Sequence, residues 1–89
     1  MYLMKNCTIS KNEMKNIYKI IGRNVKKARE NKGVSQLKLS LMIGHKAVGV
    51  ISNAELCIQD KHFNIEHLIK IANVLEVDLN DFFDGISID

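Results

Sequence analysis

The chain has 89 residues, of which 46% are hydrophobic and 26% charged, and its formal net charge is +3. These proportions are typical of one small globular domain and exclude a disordered chain. No uncharged apolar run is long enough to span a membrane, and no signal-peptide pattern opens the chain, so we expect a cytoplasmic protein. Cys7 and Cys57 are too few for a disulfide framework, and we expect two reduced thiols.

The charge is divided unevenly between the two halves of the chain. Residues 1–50 hold 11 Lys and Arg against 2 Asp and Glu, whereas residues 51–89 hold 2 against 8. The first half is therefore strongly basic and the second strongly acidic. This division favours a surface for a polyanion with an acidic surface turned away from it, over two solvated faces without a partner.

The chain begins with an arm and continues into a long helix. Residues 1–10 show no helical period and are predicted to form a flexible N-terminal arm. Ser10 and Glu13 have the S-x-x-E spacing of a capping box, which predicts a helix from residue 11 to about Asn31. The apolar residues predicted to face inward are Met14, Ile17, Ile21, Val25 and Ala28. A basic ridge that faces either phosphates or solvent is predicted from the cations at every fourth position, Lys11, Lys15, Lys19, Arg23 and Lys27.

Two short helices are predicted between Ser35 and Glu55. Ser35 is a good N-cap, and the apolar residues Leu37, Leu41 and Met42 follow at helical spacing. Gly44 stands where a left-handed residue ends a helix. A second helix is predicted over Ala47 to Glu55, with Val48, Ile51 and Ala54 at three-residue steps. Two short helices joined by a glycine-containing turn are typical of a helix-turn-helix, whose second helix lies in the DNA major groove.

Two further helices complete an all-α domain of five helices. Asn64 caps a helix that ends near Glu76. Its predicted buried side comprises Ile65, Leu68, Ile69, Ala72 and Leu75, with Ile71 near the edge. A last short helix, capped by Asp78 or Asn80, carries Leu79, Phe82 and Phe83. We therefore predict a single helix-turn-helix domain over residues 11–84, with the motif itself at 35–55, and a C-terminal tail at 85–89.

A spread pattern across two-thirds of the chain identifies a family resemblance. The matching residues before the turn are Ile21-Gly22-Arg23, Ala28-Arg29-Glu30, Gly33, Val34-Ser35-Gln36 through Leu39, and Ile43-Gly44. Those after the turn are Ile51-Ser52, Glu55, Leu68, Ile71-Ala72, Leu75, Val77 and Leu79 through Phe82-Phe83. This pattern resembles the Cro/CI-type, or XRE, helix-turn-helix family, and is similar to small phage repressors and restriction–modification controller proteins. The resemblance implies a compact lambda-repressor-like DNA-binding domain.

The chain departs from the family pattern at three places. The spacing from Gly44 to Ile51 is one residue longer than in the commonest form of the family. The pattern therefore fixes the start of the second helix only to within one residue. Ala54 stands where a bulky aliphatic residue is usual, and Cys57 where a glycine is frequent. We expect none of these to change the fold.

The resemblance also implies a set of DNA-binding residues. Ser35 and Gln36 would anchor the phosphate backbone at a helix start, and Lys38, Lys46, Arg23 and Lys27 would add charge. The base-reading positions carry over to Ala47, Val48, Gly49, Ser52 and Asn53. Only Asn53 can read adenine through two hydrogen bonds, so we expect modest direct specificity, supplemented by DNA shape.

Two further groups are assigned structural roles by the resemblance. Arg29 and Glu55 would form an ion pair that ties the first helix to the end of the second motif helix. Leu79, Phe82 and Phe83 are candidates for a homodimer contact. The alternative for the phenylalanines is that both fill the monomer core.

The predicted function is sequence-specific binding of double-stranded DNA to regulate transcription, by a homodimeric repressor or autoregulatory controller on a palindromic operator. The alternative is a protein-binding adaptor, such as the antitoxin of a toxin–antitoxin pair. We expect no enzyme, cofactor or metal. Gly44 and Gly49 have the spacing of the two P-loop glycines, but no Lys-Ser/Thr follows them. The spacing of Cys57, His62 and His67 is not that of a zinc site. The salt dependence of binding distinguishes the two functions, because affinity for DNA should fall steeply as salt rises and affinity for a protein partner should not.

Overall fold

The computed structural model describes residues 4–88, so the first three residues of the predicted arm and the last residue of the tail lie outside it. Within that range the chain is all helical and contains no strand, as predicted. The elements are α1 (Lys11–Asn31), α2 (Gln36–Met42), α3 (Gly49–Leu56) and α4 (Ile65–Leu75), with 3₁₀ turns at Ile58–Asp60 and Leu79–Phe83. The fifth predicted helix is therefore the second 3₁₀ turn. No helix among residues 4–88 is long and apolar enough to cross a membrane.

Side-chain caps fix where α1, α2 and α4 begin. Ser10 Oγ accepts from the Glu13 amide at 3.0 Å, and Glu13 Oε1 accepts from the Ser10 amide at 3.3 Å, so the predicted capping box is confirmed. Ser35 Oγ accepts from the Lys38 amide at 3.1 Å at the start of α2. Asn64 caps α4 through the His67 amide at 2.7 Å. Each cap satisfies an amide that the helix itself leaves without a partner.

The core lies where α1, α3, α4 and the Leu79–Phe83 turn meet. From α1 it receives Ile21 and Val25, which are buried as predicted, while the outer members of the predicted stripe are half-buried. The other buried apolar residues are Leu39, Ile43, Ile51, Ala54, Phe63, Leu68, Ile71, Ala72, Leu75 and Phe82. Burial of this apolar surface is the main favourable contribution to folding.

Helix α2 buries a different side from the one its spacing marks. Leu37 and Leu41 are 50% and 55% exposed, whereas Leu39 and Ile43 are buried. The buried Ser40 hydroxyl donates to the Ala47 carbonyl and joins α2 to the turn that follows it. Because apolar residues lie on both sides of this seven-residue helix, periodicity alone does not select the inward side.

Helix α4 requires a similar correction. Ile65 and Ile69 were predicted to be buried but are 65% and 52% exposed, and Ile71, predicted at the edge, is fully buried. Apolar residues surround more than half of this helix, whereas its neighbours cover one side only. The orientation is set by packing against α1 and the Leu79–Phe83 turn.

Phe82 fills the monomer core and has no exposed surface, so the prediction that it forms a dimer contact is wrong. The turn that carries it is held against α1, because Asn24 Nδ2 donates to the carbonyls of Phe82 at 2.9 Å and Asp84 at 2.8 Å. Leu79 and Phe83 are half-buried and pack against the core from outside. The candidate dimer surface is therefore reduced to these two residues.

Gly22 permits the close approach of α1 to the end of α3. A Cβ atom at this position would lie 2.6 Å from the Glu55 carbonyl oxygen and 2.9 Å from that of Ala54. Neither backbone atom can move without shifting a whole helix. A side chain at residue 22 would therefore separate the two helices.

We predict that Gly22→Ala lowers the free energy of unfolding by about 1–3 kcal/mol, the usual cost of inserting atoms into a packed interface. Urea unfolding followed by circular dichroism measures this change. Gly49→Ala is the matched control, because its Cβ would meet only Asn53 Nδ2, at an ordinary 3.6 Å. A Gly22→Ala protein as stable as the control would contradict the close contact of α1 with α3.

Candidate nucleic-acid interface

A buried ion pair positions the helix-turn-helix on α1. Arg29 Nε donates to Glu55 Oε2 at 2.7 Å, and Arg29 Nη2 donates to Glu55 Oε1 at 3.1 Å. The side chains are 10% and 0% exposed respectively. The hydrogen bonds with Glu55 raise the pKa of Arg29 against the opposing effect of burial. Two hydrogen bonds between the same two side chains fix their relative orientation as well as their separation.

Two further bonds extend the pair into a clamp that we define as Arg29, Val34, Gln36 and Glu55. Arg29 Nη1 donates to the Val34 carbonyl at 2.9 Å, and Gln36 Nε2 donates to Glu55 Oε1 at 2.9 Å. The clamp therefore joins α1, the turn after it, the first residue of α2 and the end of α3. One hydrogen of the Gln36 amide group is used inside the protein, and the second remains available for the predicted phosphate contact.

Helix α3 presents a distinct outer side. Ile51, Ala54 and Glu55 face the core, whereas Ser52 and Asn53 are half-exposed on the opposite side. The helix begins at Gly49, two residues after the predicted start, because the longer turn includes Ala47 and Val48. Gly49 is thus the first helical residue and not a mid-helix position.

The outer side of α3 also includes Leu56, which the sequence interpretation missed. It is 61% exposed and lies three residues after Asn53 and four after Ser52, which places it on the same side of the helix. That spacing is the signal that could have identified it. We define the reading face as Gly49, Ser52, Asn53 and Leu56.

The segment that forms the helix-turn-helix carries exposed charge of one sign. Residues 31–54 contain no Asp or Glu, and Glu55 is neutralised inside the clamp. Lys38 and Lys46 are exposed, and so are Ser35, whose hydroxyl caps α2, and Ala47. Val48, at the start of α3, is 41% exposed. The motif therefore offers a positive surface on which no acidic side chain opposes a phosphate.

The five cations at every fourth position of α1 do not form one ridge. Four residues turn an α-helix by about 40° more than a full circle, so the row winds around the helix. Lys11, Lys15 and Lys19 border a groove beside the segment after α3. Arg23 and Lys27 border a separate depression, and Lys27 also lies beside the acidic Leu79–Phe83 turn. The structure thus does not group Lys27 with the helix-turn-helix residues.

Cys57, His62 and His67 serve local roles. His62 stacks on Tyr18 with 3.6 Å between ring centroids, and His67 Nδ1 accepts from the Asn64 amide at 3.2 Å. Burial, with the neighbouring His45 charge, lowers the pKa of His67. Within residues 4–88 no three His, Cys, Asp or Glu side chains are grouped as metal ligands.

Comparison with known proteins places this geometry in a family. A family profile described as helix-turn-helix matches residues 25–82. The N-terminal DNA-binding domain of SinR from Bacillus subtilis is 30% identical with a TM-score of 0.63, over 74% of this chain and 93% of that chain. SinR in a SinR–SinI complex is 31% identical with a TM-score of 0.63, over 73% of this chain and 61% of that chain. No curated protein matches the chain in sequence.

A third structure shows the same fold at lower identity. The restriction–modification controller protein C.AhdI from Aeromonas hydrophila is 20% identical with a TM-score of 0.65, over 74% of this chain and 96% of that chain. Fold and surface together define a helix-turn-helix DNA-binding protein. The chain belongs to the helix-turn-helix family of XRE type, and it is a DNA-binding regulator of transcription. The resemblance read from the sequence is confirmed.

We predict that Arg29→Met lowers the free energy of unfolding by about 3–5 kcal/mol, because it leaves the Glu55 carboxylate buried without its cation. The double variant Arg29→Met with Glu55→Met should recover most of this loss, since it buries no charge. Urea unfolding of both variants measures the difference.

Lys70→Met is the control for losing a cation, because its pair with Glu66 is exposed and its charged atoms lie 3.9 Å apart. Its cost should be below about 1 kcal/mol. An Arg29→Met protein no less stable than this control would show that the clamp does not hold the fold.

Proposed function

We propose that the protein is a homodimeric repressor or autoregulatory controller that binds operator DNA with α3 in the major groove. The observation that carries this proposal is the reading face, whose four residues are half-exposed or exposed and follow a stretch, residues 31–54, that contains no Asp or Glu. Binding an operator near a promoter would exclude the transcription machinery from it.

Phosphate contacts would come from side chains around the motif. Lys38 and Lys46 are exposed, and the free hydrogen of the Gln36 amide group lies on the same motif. Ser35 is exposed at the start of α2. Such contacts orient a protein on DNA without reading its sequence.

Base contacts would come from a short reading face. Asn53 is the side chain able to bond adenine through two hydrogen bonds, and Ser52 can bond more than one base. Gly49 leaves room for close approach, and Val48 and Leu56 offer apolar contact to thymine methyl groups. So few polar groups give limited discrimination, and we propose that the deformability of the operator supplies part of the rest.

The proposed dimer contact is the surface around Leu79 and Phe83. Both residues are half-buried against the core, on a turn that contains Asp81 and whose main contacts are with α1 and α4. A two-fold dimer would place two copies of α3 about 34 Å apart, one turn of DNA, and would select a palindromic operator.

A protein-binding adaptor or antitoxin component is the second candidate function. The observation that favours it is the exposed apolar pair Ile65 and Ile69 on one side of α4. One structural neighbour, SinR, is seen in complex with a second protein, SinI. Steep loss of DNA affinity as salt rises would support the regulator, and affinity for a protein that is insensitive to salt would support the adaptor.

We predict that Asn53→Ala relaxes the preference at one base pair of each half-site by about 1–3 kcal/mol, because a bidentate contact is lost. Competition binding with single-base operator variants measures this preference. Asn73→Ala, on the exposed surface of α4, is the matched control and should change nothing. Equal weakening on all sequences would contradict base reading by Asn53.

We predict that Phe83→Asp converts the dimer into monomers, because it buries a charge in the contact surface. Light scattering after size-exclusion chromatography measures the mass, and circular dichroism checks that the variant is folded. Ile69→Asp places the same charge on α4 and should leave the dimer intact. A folded Phe83→Asp dimer, or dissociation by Ile69→Asp alone, would contradict this interface.

A further inference from the structure

A groove that contains none of the clamp residues borders the first half of α1. It lies between the first half of α1 and the segment that follows α3, and its volume is about 510 Å³. Small-molecule sites in proteins have volumes of roughly 300–1,000 Å³. The α1 wall lies before residue 25, outside the part of the chain that the family profile matches. One wall of the groove therefore lies outside the region shared with the family, whereas the wall formed by residues 57–62 lies inside it.

The rim of the groove is positively charged. Its cations are Lys11, Lys15, Lys19 and Lys61, and they are opposed by one carboxylate, that of Asp60. Lys15 Nζ lies 4.0 Å from Asp60 Oδ1, with both side chains mostly exposed, so the pair is weak, and Asp60 offsets only one of the rim cations. An anion placed among these amines would be favoured by several positive charges at once.

The groove also has an aromatic and apolar part, which we call its floor and which is formed by Met14, Tyr18, Cys57 and His62. The rings of Tyr18 and His62 stack with 3.6 Å between centroids and 11° between planes. His62 Nδ1 lies 3.3 Å from the Phe63 carbonyl, which fixes the ring. Cys57 is half-buried beside them, and burial raises the pKa of its thiol in spite of the nearby Lys19 amine, so the floor carries a neutral sulfur. A planar ring fits such a surface.

We propose that this groove binds a small aromatic carboxylate, with its ring on the Tyr18–His62 floor and its carboxylate among the rim lysines. A DNA backbone fits less well, because phosphates and sugars offer no flat apolar surface for the floor. The ligand would contact Cys57, the residue that ends α3 and whose amide bonds to the Asn53 and Ala54 carbonyls. A ligand in the groove would thus lie about one helical turn from Asn53 of the reading face.

The test is a titration of the full chain with 2-naphthoate, followed by amide chemical shifts in nuclear magnetic resonance spectra. We expect saturable shifts confined to the first half of α1 and residues 57–62. The neutral analogue 2-naphthalenemethanol and inorganic phosphate should each bind on the order of tenfold more weakly, since each lacks one half of the recognition. Shifts spread over the whole protein, or equal affinity for either control compound, would overturn the proposal.

Matched variants separate the groove from general charge and from DNA binding. Lys15→Gln with Lys19→Gln should weaken 2-naphthoate binding by on the order of tenfold, whereas Lys26→Gln with Lys32→Gln, on α1 and just after it, should not. All four lysines are exposed, so the fold should persist. If the first pair weakens duplex DNA binding and 2-naphthoate does not bind, the groove contacts phosphates and the proposal is wrong.

Discussion

The carboxylate of Glu55 is the group on which the arrangement of the molecule depends. It is completely buried, and a buried charge is tolerated only where its partners satisfy it fully. Arg29 supplies two hydrogen bonds from α1, and Gln36 supplies a third from the start of α2. Any rotation of α2 or α3 relative to α1 would break at least one of these bonds. The position of the reading face is therefore determined by the interior of the protein and not by its surface.

This constraint explains how so small a domain can present a reading helix. Helix α3 has only eight residues, and it would not be stable alone in water. The clamp holds its last turn, Gly22 lets α1 approach its final carbonyls, and Ile51 anchors its middle in the core. Its outer side is then free to carry residues that the core does not require, including a glycine at its start. Under the proposed function, stability and recognition belong to opposite sides of one helix.

Some features follow from sequence because one local rule decides them. The capping box at Ser10 and the caps at Ser35 and Asn64 are such cases, since a short side chain either satisfies an adjacent amide or does not. The orientation of α2 and α4 was not predictable in this way, because both helices have apolar residues on more than one side. Only the neighbouring helices determine that Leu39 and not Leu37 is buried. Cys57 stands at the position after α3 where the family frequently has a glycine, and its φ of 53° is left-handed. The close approach at Gly22 and the hydrogen bond from Gln36 to Glu55 could not be predicted locally, because both are contacts between helices that are distant in sequence.

Under the proposed function, the reading face recognises a particular two-fold-symmetric DNA sequence. The most direct measurement is selection of bound fragments from genomic and random DNA by the purified protein at about physiological salt, followed by sequencing. The proposed dimer predicts an enriched palindrome whose half-sites are separated by about one turn of DNA. Binding without any enriched sequence, which disappears as salt rises, would contradict the claim and would reduce the positive motif surface to a general polyanion contact.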